Sequence, residues 1–173
     1  DRLDEIFRNE RAQLEEKWDN LKLFIEFGML SDDKFCDRAM KFCLLKNTEN
    51  KFFSIEDYKK AIEGGQTDKD KKVVFLYATD TDAQYSFIEA AKNKGYDVLL
   101  MDCHLDSHFV NLLEAKLENV RFARVDSDSI DNLIPTEDKI RPELSESDQE
   151  DLTTMFKAVL PAGNEYNVHA DNL

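Results

Sequence analysis

Cysteine, proline and glycine are all scarce in this 173-residue chain, at three, three and five residues. The cysteines, Cys36, Cys43 and Cys103, are odd in number and form no C-x-x-C pair. That excludes a disulfide framework and suits the reduced thiols of a cytoplasmic protein. Cys36 and Cys43 are predicted to share one helical face and pack in the core. The histidines (His104, His108, His169) are scattered and the adjacent pair Cys103–His104 diverges, so no metal-ligand set is read from them. Basic residues number 23 against 37 acids, for a net charge of −14. Such a chain lacks the clustered cations that nucleic acid or an anionic membrane surface requires. No apolar run approaches the ~20 residues of a membrane span, and the chain opens on a charged helix rather than a signal peptide. Missing too are the phosphate cradles G-x-G-x-x-G and G-x-x-x-x-G-K-[ST], and the nucleophile elbow G-x-S-x-G.

What is present is a repeating pattern from Lys72 to Asp126. Val73–Tyr77, Asp97–Met101 and Val120–Val125 are short apolar runs rich in β-branched or aromatic residues. Between the first two, Thr81–Lys94 has a helical pattern that Gly95 ends in a left-handed cap. Between the second and third, Asp106–Glu118 places Phe109, Leu112, Leu113 and Leu117 on one helical face. Strands alternating with helices predict a three-stranded parallel βαβαβ unit with helices on both faces. The near-continuous apolar character of the first two strands fits a sheet buried on both sides.

The first third reads as helical. Leu14, Trp18, Leu21 and Ile25 continue a face begun by Leu3, Ile6 and Phe7. Gly28 and Ser31-Asp32-Asp33 mark its end, with Ser31 as N-cap of a helix carrying Phe35, Met40 and Leu44. Asn47–Asn50 is a loop, and Ser54-Ile55-Glu56-Asp57 has the form of a capping box. Gly64–Lys72 reads as a solvated connection. The chain opens inside a helical pattern and ends just after a predicted helix and strand (Ser147–Ala170), so it reads as a segment of a longer protein. The predicted organisation is a helical part at 1–71, the α/β unit at 72–134, an acid- and proline-containing linker at 135–146, and a truncated α+β piece at 147–173.

Ligands of open parallel sheets bind beyond the carboxyl ends of the strands. There the chain carries Asp80, Asp102 and Asp126, which together suit a Mg²⁺ ion and phosphotransfer. Helix capping accounts for the same acids more simply, because Asp and Thr complement the positive end of a helix.

Longer stretches carry a resemblance. Trp18-Asp19-Asn20-Leu21-Lys22-Leu23-Phe24-Ile25-Glu26-Phe27-Gly28-Met29-Leu30 resembles a helix in the middle domain of the ninety-kilodalton heat-shock chaperone family. Leu76-Tyr77-Ala78-Thr79-Asp80, Lys94–Asp102 and Val125-Asp126 are similar to that family's small α/β unit, in the same order, and Ser54–Tyr58 to the phrase preceding it. The bacterial members are most alike. The resemblance implies the later part of a middle domain up to about Ile134, and the start of a C-terminal dimerisation domain from about Pro142. It implies an ATP-dependent, cytoplasmic chaperone that is homodimeric at full length and remodels unfolded or partly folded clients. ATP and Mg²⁺ would be bound by a domain outside this chain, so no catalytic, cofactor or metal residue carries over and this segment alone would be no enzyme. Its own partners would be clients and neighbouring domains of the same chaperone, and in isolation it would be monomeric. In bacterial relatives an acid–tryptophan pair after the second strand is implicated in client contact. Ser107 and His108 stand there in this chain, followed by Phe109. Trp18 is the other candidate for client contact, although its spacing favours the core. The leading expectation is a segment that is both client-contact surface and interdomain scaffold. The phosphotransfer domain at Asp80, Asp102 and Asp126 is the alternative, and a purely structural linker is a third.

Overall fold

The computed structural model of the chain describes residues 2–135. The predicted C-terminal helix and strand, the linker beyond Pro135 and the α+β piece lie outside the described residues. Helices α1 (Arg2–Asn9), α2 (Arg11–Ser31) and α3 (Asp33–Ala39) come first. Strands β1 (Leu44–Lys46) and β2 (Phe52–Ser54) follow, then α4 (Ile55–Ile62). The α/β unit is β3 (Val73–Ala78), α5 (Tyr85–Asn93), β4 (Val98–Leu100), α6 (Asp106–Lys116) and β5 (Val120–Arg124), closed by α7 (Ile130–Leu133).

The expected parallel sheet is present, in the order β4-β3-β5. Strand β3 pairs in parallel with β4 (Leu76 opposite Val98) and with β5 (Val73 opposite Val120). Side chains alternate across its two faces. Val73 and Phe75 join the cluster that holds Trp18, Phe42, Phe109 and Leu113, while Val74, Leu76 and Ala78 join Ile88, Ala91 and Leu133. The path runs out to β4 and back past β3 to β5. Right-handed crossovers then put α5 and α6 on opposite faces, which is where these two clusters hold them. An edge-to-face chain of rings crosses one face: Phe53–Tyr58 at 5.5 Å, Tyr58–Phe75 at 5.0 Å and Phe75–Phe122 at 5.1 Å between centroids. Such pairs contribute about 0.5–1.5 kcal/mol each beyond their buried area.

The first third departs from the helical expectation. Phe42, Cys43, Leu44 and Leu45 are buried in succession. A surface helix would turn some of them outward, whereas a strand covered on both sides buries them all. Leu44 therefore lies in β1, antiparallel to β2 with Leu45 opposite Phe53, not on the helix with Phe35. Cys36 and Cys43 are both buried free thiols, as expected, but α3 ends at Ala39 and they share no helix. Asp32, not Ser31, caps α3 by accepting from Phe35 N at 2.9 Å. Gly28 lies inside α2 rather than at its end. A Cβ there would sit 2.8 Å from Phe35 Cε1, so the missing side chain lets the ring close against α2.

Helix α5 begins four residues later than its pattern suggests. Asp80 Oδ1 accepts from Asp82 N (3.0 Å) and Ala83 N (2.9 Å), holding a turn where the helix would otherwise start. Gly95 has φ +78°, the left-handed cap expected of it. The Gly64–Lys72 connection is only partly solvated. Gln66 and Asp68 within it are buried, and Asp68 Oδ2 meets Arg121 Nε at 2.9 Å.

Ser54 caps α4 as expected, accepting from Asp57 N at 3.1 Å. Substituting Ser54 by Ala removes that acceptor and is expected to cost about 1 kcal/mol in urea unfolding. A loss indistinguishable from zero would show the cap to be dispensable.

Candidate functional site

The carboxyl edge of the sheet and the head of α6 bring together Asp102, Cys103, His104 and Ser107 among the residues singled out in the sequence. A groove there is lined by Tyr77, Thr79, Cys103, His104, Ser107 and Arg124, with Met101, Asp102 and Asp106. Ser107 and His108 are exposed on the first turn of α6. The other two candidates for client contact are not on the surface. Phe109 and Trp18 are each 1% exposed, packed in the same core cluster. Helical periodicity accounts for both: Trp18 lies on the stripe of Leu14, Ile25 and Met29, and Phe109 on that of Val110 and Leu113.

The acidic loops do not assemble a Mg²⁺ site. Asp80 is spent on its turn. Asp102 is exposed and meets Lys22 Nζ at 3.4 Å, and Asp126 meets Arg124 Nε at 2.5 Å. Burial works against the Asp126 carboxyl, but hydrogen bonds from Gln84 and Arg124 outweigh it and hold the group below its ordinary value. Each of the three carboxylates thus has a local partner, and the phosphotransfer reading falls.

The structure instead reveals a buried polar cluster between α2 and the head of α6. Lys22 and Glu26 follow Trp18 at steps of four, which carries them onto the inward face of α2. Glu26 is 1% exposed and Asp106 is buried. Asp106 Oδ2 accepts from Cys103 N at 2.7 Å and from Lys22 Nζ at 3.0 Å, and Lys22 Nζ lies 3.9 Å from Glu26 Oε1. Burial first, then the neighbouring Asp106, push the Glu26 carboxyl up to about 8. Burial pulls the Lys22 ammonium down, but attraction to Asp106 and Glu26 wins and its net shift is upward. Glu26 Oε2 and Asp106 Oδ1 are left buried with no hydrogen-bond partner. The available signal was a charged pair at i, i+4 on an otherwise apolar buried stripe.

A second feature escaped the sequence reading. Leu23, Phe24, Phe27 and Leu30 form an outward stripe on α2, with Phe24 74% and Phe27 62% exposed. The helix is apolar on both sides, and only the inner side is covered within the described residues.

A parallel sheet covered by helices on both faces and joined to a helical layer defines an α/β module. Among the described residues no helix is long and apolar enough to cross a membrane. The chain belongs to the Hsp90 protein family, whose model matches residues 1–168. It is 54% identical over 161 residues to a chaperone protein HtpG of Bacteroides fragilis, covering 93% of this chain and 24% of that protein. It is 49% identical over 175 residues to the Porphyromonas gingivalis chaperone protein HtpG, covering all of this chain and 26% of that protein. The chain thus spans about a quarter of the length of the curated relatives it matches. Among solved structures it is similar to the middle domain of a Plasmodium falciparum heat shock protein, with TM-score 0.45 and 17% identity, over 61% of this chain and 44% of that one.

Proposed function

We propose that this chain is the later part of the middle domain, with the start of the C-terminal domain, of an ATP-dependent cytoplasmic chaperone. The observation that carries this reading is the family match along nearly the whole chain, with about half its residues identical to proteins named as chaperones. ATP and Mg²⁺ belong to a domain outside the chain, and the segment itself catalyses nothing. Residues 1–71 and 72–134 act together as a rigid scaffold, 135–146 as a linker, and 147–173 as the opening of the dimerisation domain.

In this reading the segment also holds unfolded client polypeptide. Clients expose the apolar side chains that folded proteins bury, and the stripe of Leu23, Phe24, Phe27 and Leu30 gives such chains a broad, weak apolar contact. Ser107 and His108 supply a separate polar contact at the head of α6. The test is a titration of the ¹⁵N-labelled chain with an unfolded model client, repeated for the double variant Phe24→Asp, Phe27→Asp. Both rings are exposed, so the variant keeps its fold. Its client affinity is expected to fall about tenfold, the equivalent of ~1.4 kcal/mol. Unchanged affinity, with no client-induced shifts at Leu23–Leu30 or Ser107–His108, would remove the client role and leave the scaffold role.

A further inference from the structure

We propose that the junction between α2 and the head of α6 is a binding site for a thiophilic divalent cation, Zn²⁺, held by Glu26, Cys103 and Asp106. One donor atom from each of these residues lies within 4.8 Å of the other two, and among the described residues they are the group that meets this condition. Drawing three donors to the ~3.3–3.8 Å edges of a zinc tetrahedron, with bonds of about 2.0–2.3 Å, needs movements of under ~1 Å each.

The second observation is independent of that proximity. Glu26 Oε2 and Asp106 Oδ1 are buried and have no hydrogen-bond partner. Orphan acceptors in a low-dielectric site cost about 1–3 kcal/mol each. At neutral pH the raised Glu26 carboxyl keeps a proton beside Asp106, and a cation that displaces it together with the thiol proton meets both oxygens. Lys22 does not complete the site, since its ammonium stands 3.0 Å from Asp106 Oδ2 and 3.9 Å from Glu26 Oε1 without reaching either orphan oxygen. It has somewhere else to go: Asp102, exposed and 3.4 Å from Nζ, takes the ammonium on its flexible stem when a metal enters.

The donor set selects the ion. Mg²⁺ and Ca²⁺ take oxygen ligands only, whereas a thiolate with two carboxylates suits zinc. Cys103 is half-buried and lines the open groove at the sheet edge, which gives the ion an entry and a water for its fourth position. The bound ion would pin α2 to α6. The donors come from distant parts of the sequence, so no ligand spacing advertises the site.

The experiment is a titration of the complete 173-residue chain with Co²⁺ as an optical probe, followed by displacement with Zn²⁺. One equivalent is expected, with a thiolate-to-cobalt charge-transfer band in the near ultraviolet that Zn²⁺ abolishes and Mg²⁺ does not. Cys103→Ser is expected to lose the band. Glu26→Gln keeps the size and shape of the side chain, so it preserves the fold while removing a ligand. Its Zn²⁺ affinity is expected to fall ~100-fold or more, since even outer-shell changes cost about 10–100-fold. Zn²⁺ should raise the melting temperature of the parent chain and of neither variant. A cobalt spectrum without the thiolate band, a band that survives Cys103→Ser, or unchanged affinity in Glu26→Gln would each overturn the site.

Discussion

Replacing Phe109 by alanine is expected to lower the unfolding free energy by about 3–5 kcal/mol. The ring sits one turn into α6, 1% exposed, in the cluster that joins α2, β1 and the sheet. It lines the same small cavity as Trp18, Leu44, Leu45 and Met101, so its removal enlarges a void already present at the junction of three elements. Neighbouring walls belong to strands and a long helix that cannot collapse far, which keeps the cavity contribution large. His108, the adjacent exposed residue, supplies the control: His108→Ala should stay within about 0.5 kcal/mol of the parent. Urea unfolding of both variants decides the matter. A Phe109→Ala loss below ~1 kcal/mol would mean that the ring is not a core residue, whatever its burial suggests.

The same contrast between neighbours shows what could be read in advance. The first two parallel strands were legible because a sheet covered on both faces demands uninterrupted apolar runs, and Val73–Leu76 is such a run. Strand β5, interrupted by Arg121 and Arg124, was legible from its place in the alternation of strands and helices. Trp18 was legible as core because its helical stripe repeats over several turns, whereas Phe109, on a face with Leu113, was also a candidate for client contact. The β1–β2 hairpin was not legible, since strands of three residues are too short to display a period. The start of α5 was displaced because Asp80 and Gln84 organise a turn through their side chains: Gln84 Oε1 accepts from Thr79 N at 2.8 Å and Asp80 N at 3.0 Å. No propensity count sees that competition. The candidate site was half visible. The head of α6 followed from the strand-helix pattern, but Lys22 and Glu26 meet Asp102, Cys103 and Asp106 only through the tertiary fold. The outward stripe on α2 was hidden by a different ambiguity, because a helix apolar on both sides offers no single face to choose.

The other large expected effect belongs to Asp97, which stands just before β4 and joins parts of the chain that share no secondary structure. Its Oδ1 accepts from the Tyr58 hydroxyl at 3.1 Å and its Oδ2 from Asn47 Nδ2 at 2.8 Å. Asn47 in turn closes the β1–β2 turn, its Oδ1 accepting from Glu49 N at 3.0 Å and Lys51 N at 2.9 Å. The Asp97 backbone is gripped by Gln66, whose Oε1 accepts from Asp97 N at 2.6 Å and whose Nε2 donates to Asp97 O at 3.2 Å. One residue therefore ties α4, the hairpin and the edge of the sheet. Burial raises the Asp97 carboxyl above its ordinary value even though Asn47 and Tyr58 pull it down, and burial raises the Tyr58 hydroxyl likewise, with Asp97 adding to it. Asp97→Ala leaves a buried hydroxyl and a buried amide without their acceptor, at an expected total cost of about 2–4 kcal/mol. Tyr58→Phe removes one of the two donors and should cost about 1 kcal/mol. Once Asp97 is gone, the Tyr58 hydroxyl is a liability, so Tyr58→Phe in the Asp97→Ala background should cost nothing or stabilise. Strict additivity of the two losses in a double-mutant cycle would show that the hydroxyl and the carboxylate do not depend on each other. Coupling of ~1 kcal/mol or more would place the hold on α4 in that hydrogen bond rather than in the surrounding aromatic packing.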